Sequence, residues 1–318
     1  MNVAVYLPLV IPVLAALAAG PLADRLPPAA ATWMLAASSL VLALASSAVL
    51  GLLAVSALVR VPFVDAVAHL SAPVIRSGDS VSVPVAIIAG GLLAAAAAAA
   101  IRALWRRGSA IVEAHRRARS LPGAGQVVVT DDEAADAYTI PGWPCRIVIT
   151  TGMVRSLSAA ERRVLLAHER AHASGSHYLF TSVARLAAAA NPLLRPVAAQ
   201  ACYTVERWAD EHAATESGDR PLTARAVARA ALAASAAPPA HADRADPLIA
   251  LGMVAAPSLR GAGPVPRRVA ALLAPPPRTP LLLYGAVVLV VALSAVSALD
   301  AAASLHQLIE LAQGPSAR

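Results

Sequence analysis

The chain has 318 residues, of which 58% are apolar and only 14% are charged, and its mean hydropathy is +0.63. About a quarter of the residues of a soluble domain are charged, so this composition excludes an ordinary soluble protein and requires membrane segments. The formal charge of +7 arises without any lysine, and the arginines cluster beside apolar segments rather than in an aromatic-rich patch, which argues against direct nucleic-acid binding.

Four stretches are long and apolar enough to cross the roughly 30 Å of bilayer hydrocarbon, which takes about 20 helical residues. We predict transmembrane helices at about residues 3–22, 32–59, 83–104 and 280–299. No Lys or Arg precedes the first stretch, so we interpret it as a retained helix rather than a signal peptide. The lipid bilayer is therefore an expected partner of this chain.

Arginines beside these stretches predict the orientation, because loops that stay in the cytoplasm are rich in positive charge. Six lie at or just after the end of the third stretch: Arg102, Arg106, Arg107, Arg116, Arg117 and Arg119. Three more precede the fourth stretch: Arg267, Arg268 and Arg278. The prediction is a multi-pass protein of the cell membrane with a cytoplasmic domain at residues 105–279, and with the loop 60–82 and a short tail 300–318 outside.

Within the domain, two β-branched runs are bounded by glycine and proline and predict a pair of short strands, Gln126–Thr130 and Arg146–Thr150. Ser158 is followed three residues later by Glu161, which is the capping box of a helix N-terminus. A helix is therefore predicted to begin at about Ala159.

Two further helices are predicted downstream. The first covers residues 196–215, with a proline in its first turn, and the second covers residues 223–234. The Pro- and Ala-rich stretch 236–247 is interpreted as a mobile connection. These elements predict a mainly helical fold with a small sheet.

The helix beginning near Ala159 carries an HExxH motif, in which His168 and His172 lie one turn apart on the same face. Two imidazoles so placed can bind one zinc ion. Glu169 lies at the edge of that face, where it can accept a proton from the attacking water and pass it to the leaving amine. The apolar run 164–167 before the motif predicts a buried helix, in which two histidines without a metal would be left unpaired.

A catalytic zinc site needs a third protein ligand, and the helix at 196–215 offers Glu206. Asp210 follows Glu206 by one turn and shares its face, so it can accept the far N–H of a ligand histidine. His177 is interpreted as a capping or local hydrogen-bonding residue rather than a ligand. The group that stabilises the oxyanion stays open among Arg207, His177 and Tyr178.

The order of motifs resembles that of the BlaR/MecR-like membrane peptidases, metallopeptidase family 56, over about residues 125–275. The segments that carry the resemblance are RIVITTGMVRSLSAAERRVLLAHERAH, NPLLRPV, ERWAD and PRRVAALLAPPP. The related HtpX-like peptidases, metallopeptidase family 48, share HExxH and ExxxD but usually place two membrane helices after HExxH. Here residues 178–202 are interrupted by charged and polar side chains and are not predicted to span.

The resemblance implies a gluzincin-like zinc metallopeptidase domain with a sheet edge near RIVIT that aligns an extended substrate. It implies His168, His172 and Glu206 as zinc ligands, Glu169 as general base and Asp210 as a support of the site. The antibiotic-sensing members carry a large extracellular domain after the last helix. Only residues 300–318 follow that helix here, so sensing of β-lactams through such a domain is not expected.

We therefore expect a membrane-bound zinc endopeptidase with one zinc ion per chain that cleaves a cytoplasmic protein, such as a transcriptional repressor. Two alternatives stay open. One is an HtpX-like peptidase for the quality control of membrane proteins. The other is a signal-transducing membrane protein in which zinc is structural and the output is partner binding.

Overall fold

The computed structural model describes residues 6–58, 82–123, 125–143, 145–236, 264–277 and 281–313. In chain order its helices are α1 (Leu7–Arg25), α2 (Pro28–Leu58), α3 (Val83–Ser120), α4 (Thr151–Ser156), α5 (Ala159–Ser174), α6 (His177–Ala190), α7 (Arg195–Ser217), α8 (Arg220–Ser235), α9 (Pro264–Leu273) and α10 (Leu281–Gln313). Its strands are β1 (Val127–Thr130), β2 (Ala137–Ile140) and β3 (Arg146–Thr150). The predicted fold class, mainly α with a small sheet, is confirmed.

Four described helices are long and apolar enough to cross a membrane: Leu7–Arg25, Pro28–Val55, Val83–Ser120 and Leu281–Asp300. They coincide with the four predicted stretches. The third helix continues well past its apolar part, and α10 continues to Gln313, so the first part of the predicted tail is helical. Residues 60–81 of the predicted outer loop and residues 237–247 of the predicted connection lie outside the described residues.

The sheet has the order β1-β3-β2, with β1 parallel and β2 antiparallel to the central strand β3. Both predicted strands are present, and β2 between them was missed. All five residues of β3 are buried, as expected for a central strand that is covered on both faces. The sheet edge expected near RIVIT does not lie on β3 itself, because both sides of β3 are paired, and the outer strands are its two partners β1 and β2.

The capping box predicted at the start of α5 is present. The Glu161 backbone N–H donates to the Ser158 hydroxyl, and the Ser158 backbone N–H donates to the Glu161 carboxylate. The helices predicted at 196–215 and 223–234 are α7 and α8, each a few residues longer than expected. These boundaries place the HExxH motif in the second half of α5.

A hairpin of α6 and α7 follows α5 and packs against the membrane helices α1 and α2. The sequence did not predict α6 as a helix. At the tip of the hairpin, the Asn191 side chain accepts the Leu193 N–H and donates to Ser46 on α2 at 3.1 Å. The apolar side chains between them, such as Leu42 of α2 and Val197 of α7, belong to one buried cluster. The hairpin therefore fixes the peptidase-bearing helices to the membrane part of the fold.

Candidate metal centre and active site

Helices α5 and α7 lie side by side and bring together the three side chains that the sequence singled out as metal ligands. His168 and His172 come from α5 and Glu206 from α7, and all three are buried. Their donor atoms lie within 4.8 Å of one another. The two histidine Nε2 atoms are 3.0 Å apart, and each lies 3.6 Å from an oxygen of Glu206.

Asp210 lies behind His168, on the side away from the three donor atoms. One of its carboxylate oxygens is 3.0 Å from Nδ1 of His168, and both side chains are almost fully buried. A carboxylate at this position holds a proton on Nδ1, so Nε2, which faces His172 and Glu206, is the nitrogen left to bind a metal. Asp210 thus lies beside a predicted ligand histidine, and its role as a support of a zinc ligand stays a prediction.

Arg268 of α9 also belongs to the site. From the sequence it was interpreted only as one of the arginines that predict the orientation of the chain in the membrane. It is fully buried. Its Nε and Nη2 each donate to a different oxygen of Asp210 at 2.7 Å, and its Nη1 lies 3.1 Å from Glu206. A bidentate arginine of this kind holds a carboxylate in one orientation, so Arg268 fixes Asp210 and neutralises part of the negative charge of the site.

The charges of this buried cluster shift its pKa values in opposite directions. Burial lowers the pKa of His168, but Asp210 and Glu206 more than offset this effect and raise it to about 9. Burial and the positive charges of His168 and Arg268 hold the pKa of His172 well below its usual value. The pKa of Asp210 is low because Arg268 and His168 outweigh the effect of burial. In the metal-free protein His168 therefore favours the doubly protonated form, and a metal that binds Nε2 would displace the proton on that nitrogen.

Glu169 is fully buried beside the donor cluster, and its two carboxylate oxygens have different surroundings. Oε2 is 2.8 Å from the hydroxyl of Thr139 on β2, which is also 3.0 Å from the backbone carbonyl oxygen of Glu169. Within the described part of the chain, Oε1 has no hydrogen-bond partner. Burial raises the pKa of Glu169 to about 7, against the opposing charge of His168. The sheet thus holds one oxygen, while the other has no partner among the described residues.

His177, the first residue of α6, supports the second histidine of the motif. Its Nδ1 lies 2.9 Å from Nδ1 of His172, and its ring packs against Trp208 with centroids 4.6 Å apart. Burial and the charge of His168 lower the pKa of His177 to about 4, so the ring is neutral. If Nε2 of His172 keeps its lone pair, its Nδ1–H donates to His177. The structure thus agrees with the interpretation of His177 as a local hydrogen-bonding residue.

The family model described as Peptidase family M48 matches residues 104–275, which is more than half of the chain. The chain belongs to peptidase family M48. It is therefore a membrane-associated metallopeptidase of a zinc-dependent family. This is the related family 48 that the sequence comparison named for its shared HExxH and ExxxD motifs, and the resemblance to the BlaR/MecR-like family 56 is not confirmed. Searches of curated proteins and of solved structures found no match.

The donor set fits the metal that M48 peptidases use. Two imidazole nitrogens and one carboxylate oxygen are a common ligand set of catalytic zinc, which leaves a fourth position for water or substrate. The unpartnered buried Oε1 of Glu169 is a second point of agreement, because a buried carboxylate oxygen without a partner is costly unless water or a ligand occupies the site. The residues present thus suit a catalytic zinc better than a closed structural site.

A substitution at Gly175 tests whether the contact of His177 with His172 supports metal binding in this M48 site. A Cβ atom at Gly175 would lie 2.5 Å from Nε2 of His177 and 2.9 Å from the Ala171 carbonyl oxygen. We expect Gly175→Ala to push His177 away from His172 and to weaken zinc binding by about 10- to 100-fold, the usual cost of losing a partner of a metal ligand. Competition with a chromophoric chelator measures this affinity. Gly108→Ala is the control, because no atom lies within 4 Å of its added Cβ, and equal zinc affinity in both variants would refute the role of His177.

Proposed function

We propose that this protein is a membrane-bound zinc endopeptidase in which His168, His172 and Glu206 hold one zinc ion per chain. The observation that carries the proposal is the convergence of these three buried donors beside the unpartnered carboxylate oxygen of Glu169. A zinc ion bound there would polarise the scissile carbonyl and make the attacking water more acidic.

Glu169 is the proposed general base. Its Oε1 accepts a proton from the attacking water while Thr139 holds Oε2, and the same carboxyl group then gives the proton to the leaving amine. A pKa near 7 suits both transfers. Asp210 and His177 keep the two histidines in the tautomers that present Nε2 to the metal, and Arg268 holds Asp210 in place.

The outer strand β2 is the proposed site of substrate alignment. Thr139 of β2 contacts Glu169, and in the described part of the chain β2 pairs only with β3, so its other edge has no strand partner. An extended peptide that adds to this edge by backbone hydrogen bonds would run past the base. The substrate class is therefore a protein with an extended or unfolded segment, whose sequence matters less than its backbone.

We propose that the peptidase domain, residues 105–279, faces the cytoplasm, because arginines flank the membrane helices on that side.

Regulatory cleavage of a soluble protein such as a repressor is one candidate role. Quality control of membrane proteins is the second, and the M48 match is equally consistent with both roles. The hairpin of α6 and α7, which follows HExxH and packs on α1 and α2, is the observation that supports the second role. Substrates trapped by an inactive variant in intact cells distinguish the roles, because a regulator gives one dominant soluble protein and quality control gives many membrane proteins.

The metal content of the purified full-length protein tests the zinc site. We expect about one zinc per chain in the wild type and a loss of most of it in His168→Ala and Glu206→Ala, because each removes one of three ligands. Glu216→Ala is the control, since this carboxylate lies on the same helix α7 and is about half exposed. Zinc-free wild-type protein that is folded would overturn the proposal. A wild type that loses its helices on chelation would indicate a structural zinc, as in the non-catalytic alternative.

A further inference from the structure

A second polar site lies away from the proposed zinc centre, in a cavity of about 560 Å³ between α3, α6 and α7. Five arginines line it: Arg102, Arg106, Arg107, Arg185 and Arg195. The rest of the wall is alanine and one cysteine. This combination gives a concave surface lined by arginine and small apolar side chains, in a size range that holds small ligands and headgroups.

The lining of this cavity brings arginine side chains together without a carboxylate among them. None of the lining residues is acidic, and all of them belong to the described part of the chain. Arg107 is buried and donates to the Ser182 hydroxyl at 2.9 Å, so its guanidinium is held in place by a neutral partner. Positive charges that lie close together in a concave surface attract an anion. The lining of this cavity therefore favours an anionic ligand.

The arginines that line the cavity favour a phosphate group over a simple anion. A guanidinium group binds phosphate through two parallel N–H donors, and several guanidinium groups at one cavity bind one phosphate from different directions. Arg102, Arg106 and Arg195 are exposed to solvent, so they are free to turn toward such a ligand. No lysine exists in the chain, and arginine is the residue suited to this geometry.

The position of the cavity on α3 identifies the source of the phosphate. It lies where the apolar part of the helix ends, and on the same stretch Ile101, Leu104 and Trp105 are 60–72% exposed. Tryptophan beside arginine at the end of an apolar helix is typical of the headgroup layer of a membrane. Basic pockets between membrane helices at this depth bind the headgroups of anionic lipids.

We propose that this cavity binds the phosphate of an anionic phospholipid, in the leaflet that faces the peptidase domain. The lipid would join α3 to the hairpin of α6 and α7, since each of these helices contributes at least one of the five arginines. Because α7 also carries Glu206, the bound lipid would stabilise a helix of the zinc site. This proposal is independent of the peptidase activity.

The test compares the full-length protein with Arg102→Gln/Arg106→Gln and with the control Arg116→Gln/Arg119→Gln, which removes two exposed arginines from the same helix outside the cavity. Native mass spectrometry in detergent measures retained phosphatidylglycerol against phosphatidylcholine. We expect the wild type and the control to retain phosphatidylglycerol preferentially and the cavity variant to bind it about tenfold more weakly or less. Equal binding by both variants, or no preference for the anionic lipid, would overturn the proposal.

Thermal unfolding in the presence of inorganic phosphate separates the two sources of the phosphate group. If the cavity takes a lipid, phosphatidylglycerol raises the unfolding temperature of the wild type and millimolar phosphate alone does not. A rise with inorganic phosphate that matches the rise with lipid, and that is lost in the cavity variant, would assign the cavity to a soluble phosphate-bearing ligand and refute the lipid. Unchanged zinc content in both variants shows that the fold is retained.

Discussion

Replacing Glu169 by glutamine is expected to abolish peptide hydrolysis and to leave the zinc content of the protein unchanged. Glutamine has nearly the same shape and still accepts the hydrogen bond of Thr139, which lies 2.8 Å from Oε2 in the wild type. It has no basic oxygen at the position of Oε1, so the attacking water keeps its proton. A general base contributes about 10²- to 10⁴-fold to a rate, and we expect a loss of at least this size in the turnover of an unfolded fluorogenic protein such as labelled casein.

The matched control for this prediction is Glu216→Gln, which makes the same chemical change at a half-exposed carboxylate of α7. It is expected to keep wild-type turnover. Substantial hydrolysis by the Glu169 variant would mean that another residue is the base, and a variant without zinc would mean that Glu169 holds the site together instead. The comparison thus separates a chemical role of Glu169 from a structural one.

The core of the candidate site could be predicted from the sequence because its spacing is local. His168 and His172 share a face through the period of one helix, and Glu206 and Asp210 do so on the next predicted helix. Spacing along the chain does not predict that the two helices lie side by side. We inferred that they are neighbours because a catalytic zinc site needs a third ligand, and the structure places the four side chains together.

Residues that reach the site from other elements were missed for physical reasons. Thr139 lies on a strand of only four residues that follows an acidic segment. The sequence there has no alternating apolar run from which this strand could be predicted. Arg268 is 58 positions from Asp210 in the sequence. A signal for Arg268 did exist, because Val265, Val269 and Leu272 pack into the core and Arg268 shares their helical face. A charged residue on the apolar face of a short helix indicates a buried partner.

The membrane part was predicted well and the hairpin of α6 and α7 was not. Long apolar runs report transmembrane helices directly, and all four coincide with described helices. Helix α6 is short and mixes alanine with Arg185 and Ser182, so its pattern lacks the length of a span. Its stability comes from packing on α2, as in the edge-on contact between Phe180 and Trp33, and sequence spacing does not report such contacts.

Replacing Arg268 by methionine is expected to lower the free energy of unfolding by about 3–5 kcal/mol, the usual result of leaving a buried charge without its partner. Methionine fills similar space but removes the donors that lie 2.7 Å from the two oxygens of Asp210. Glu206 also loses the contact of 3.1 Å with Nη1. The loss should be larger in the metal-free protein than in the zinc-loaded protein, because the positive charge of the metal compensates Glu206. Thermal unfolding of both forms measures the difference.

Arg267→Met is the control for this prediction, because it removes the neighbouring guanidinium from the same helix. Arg267 forms an ion pair with Asp24, which is more than half exposed, and lies over the ring of Tyr203. Contacts of this kind contribute about 1 kcal/mol or less, so this variant should unfold close to the wild type. If the two variants unfold alike, Asp210 does not depend on Arg268 for its charge compensation. If the Arg268 variant alone is destabilised and zinc restores part of the loss, the guanidinium acts as the counterion of the metal-free site.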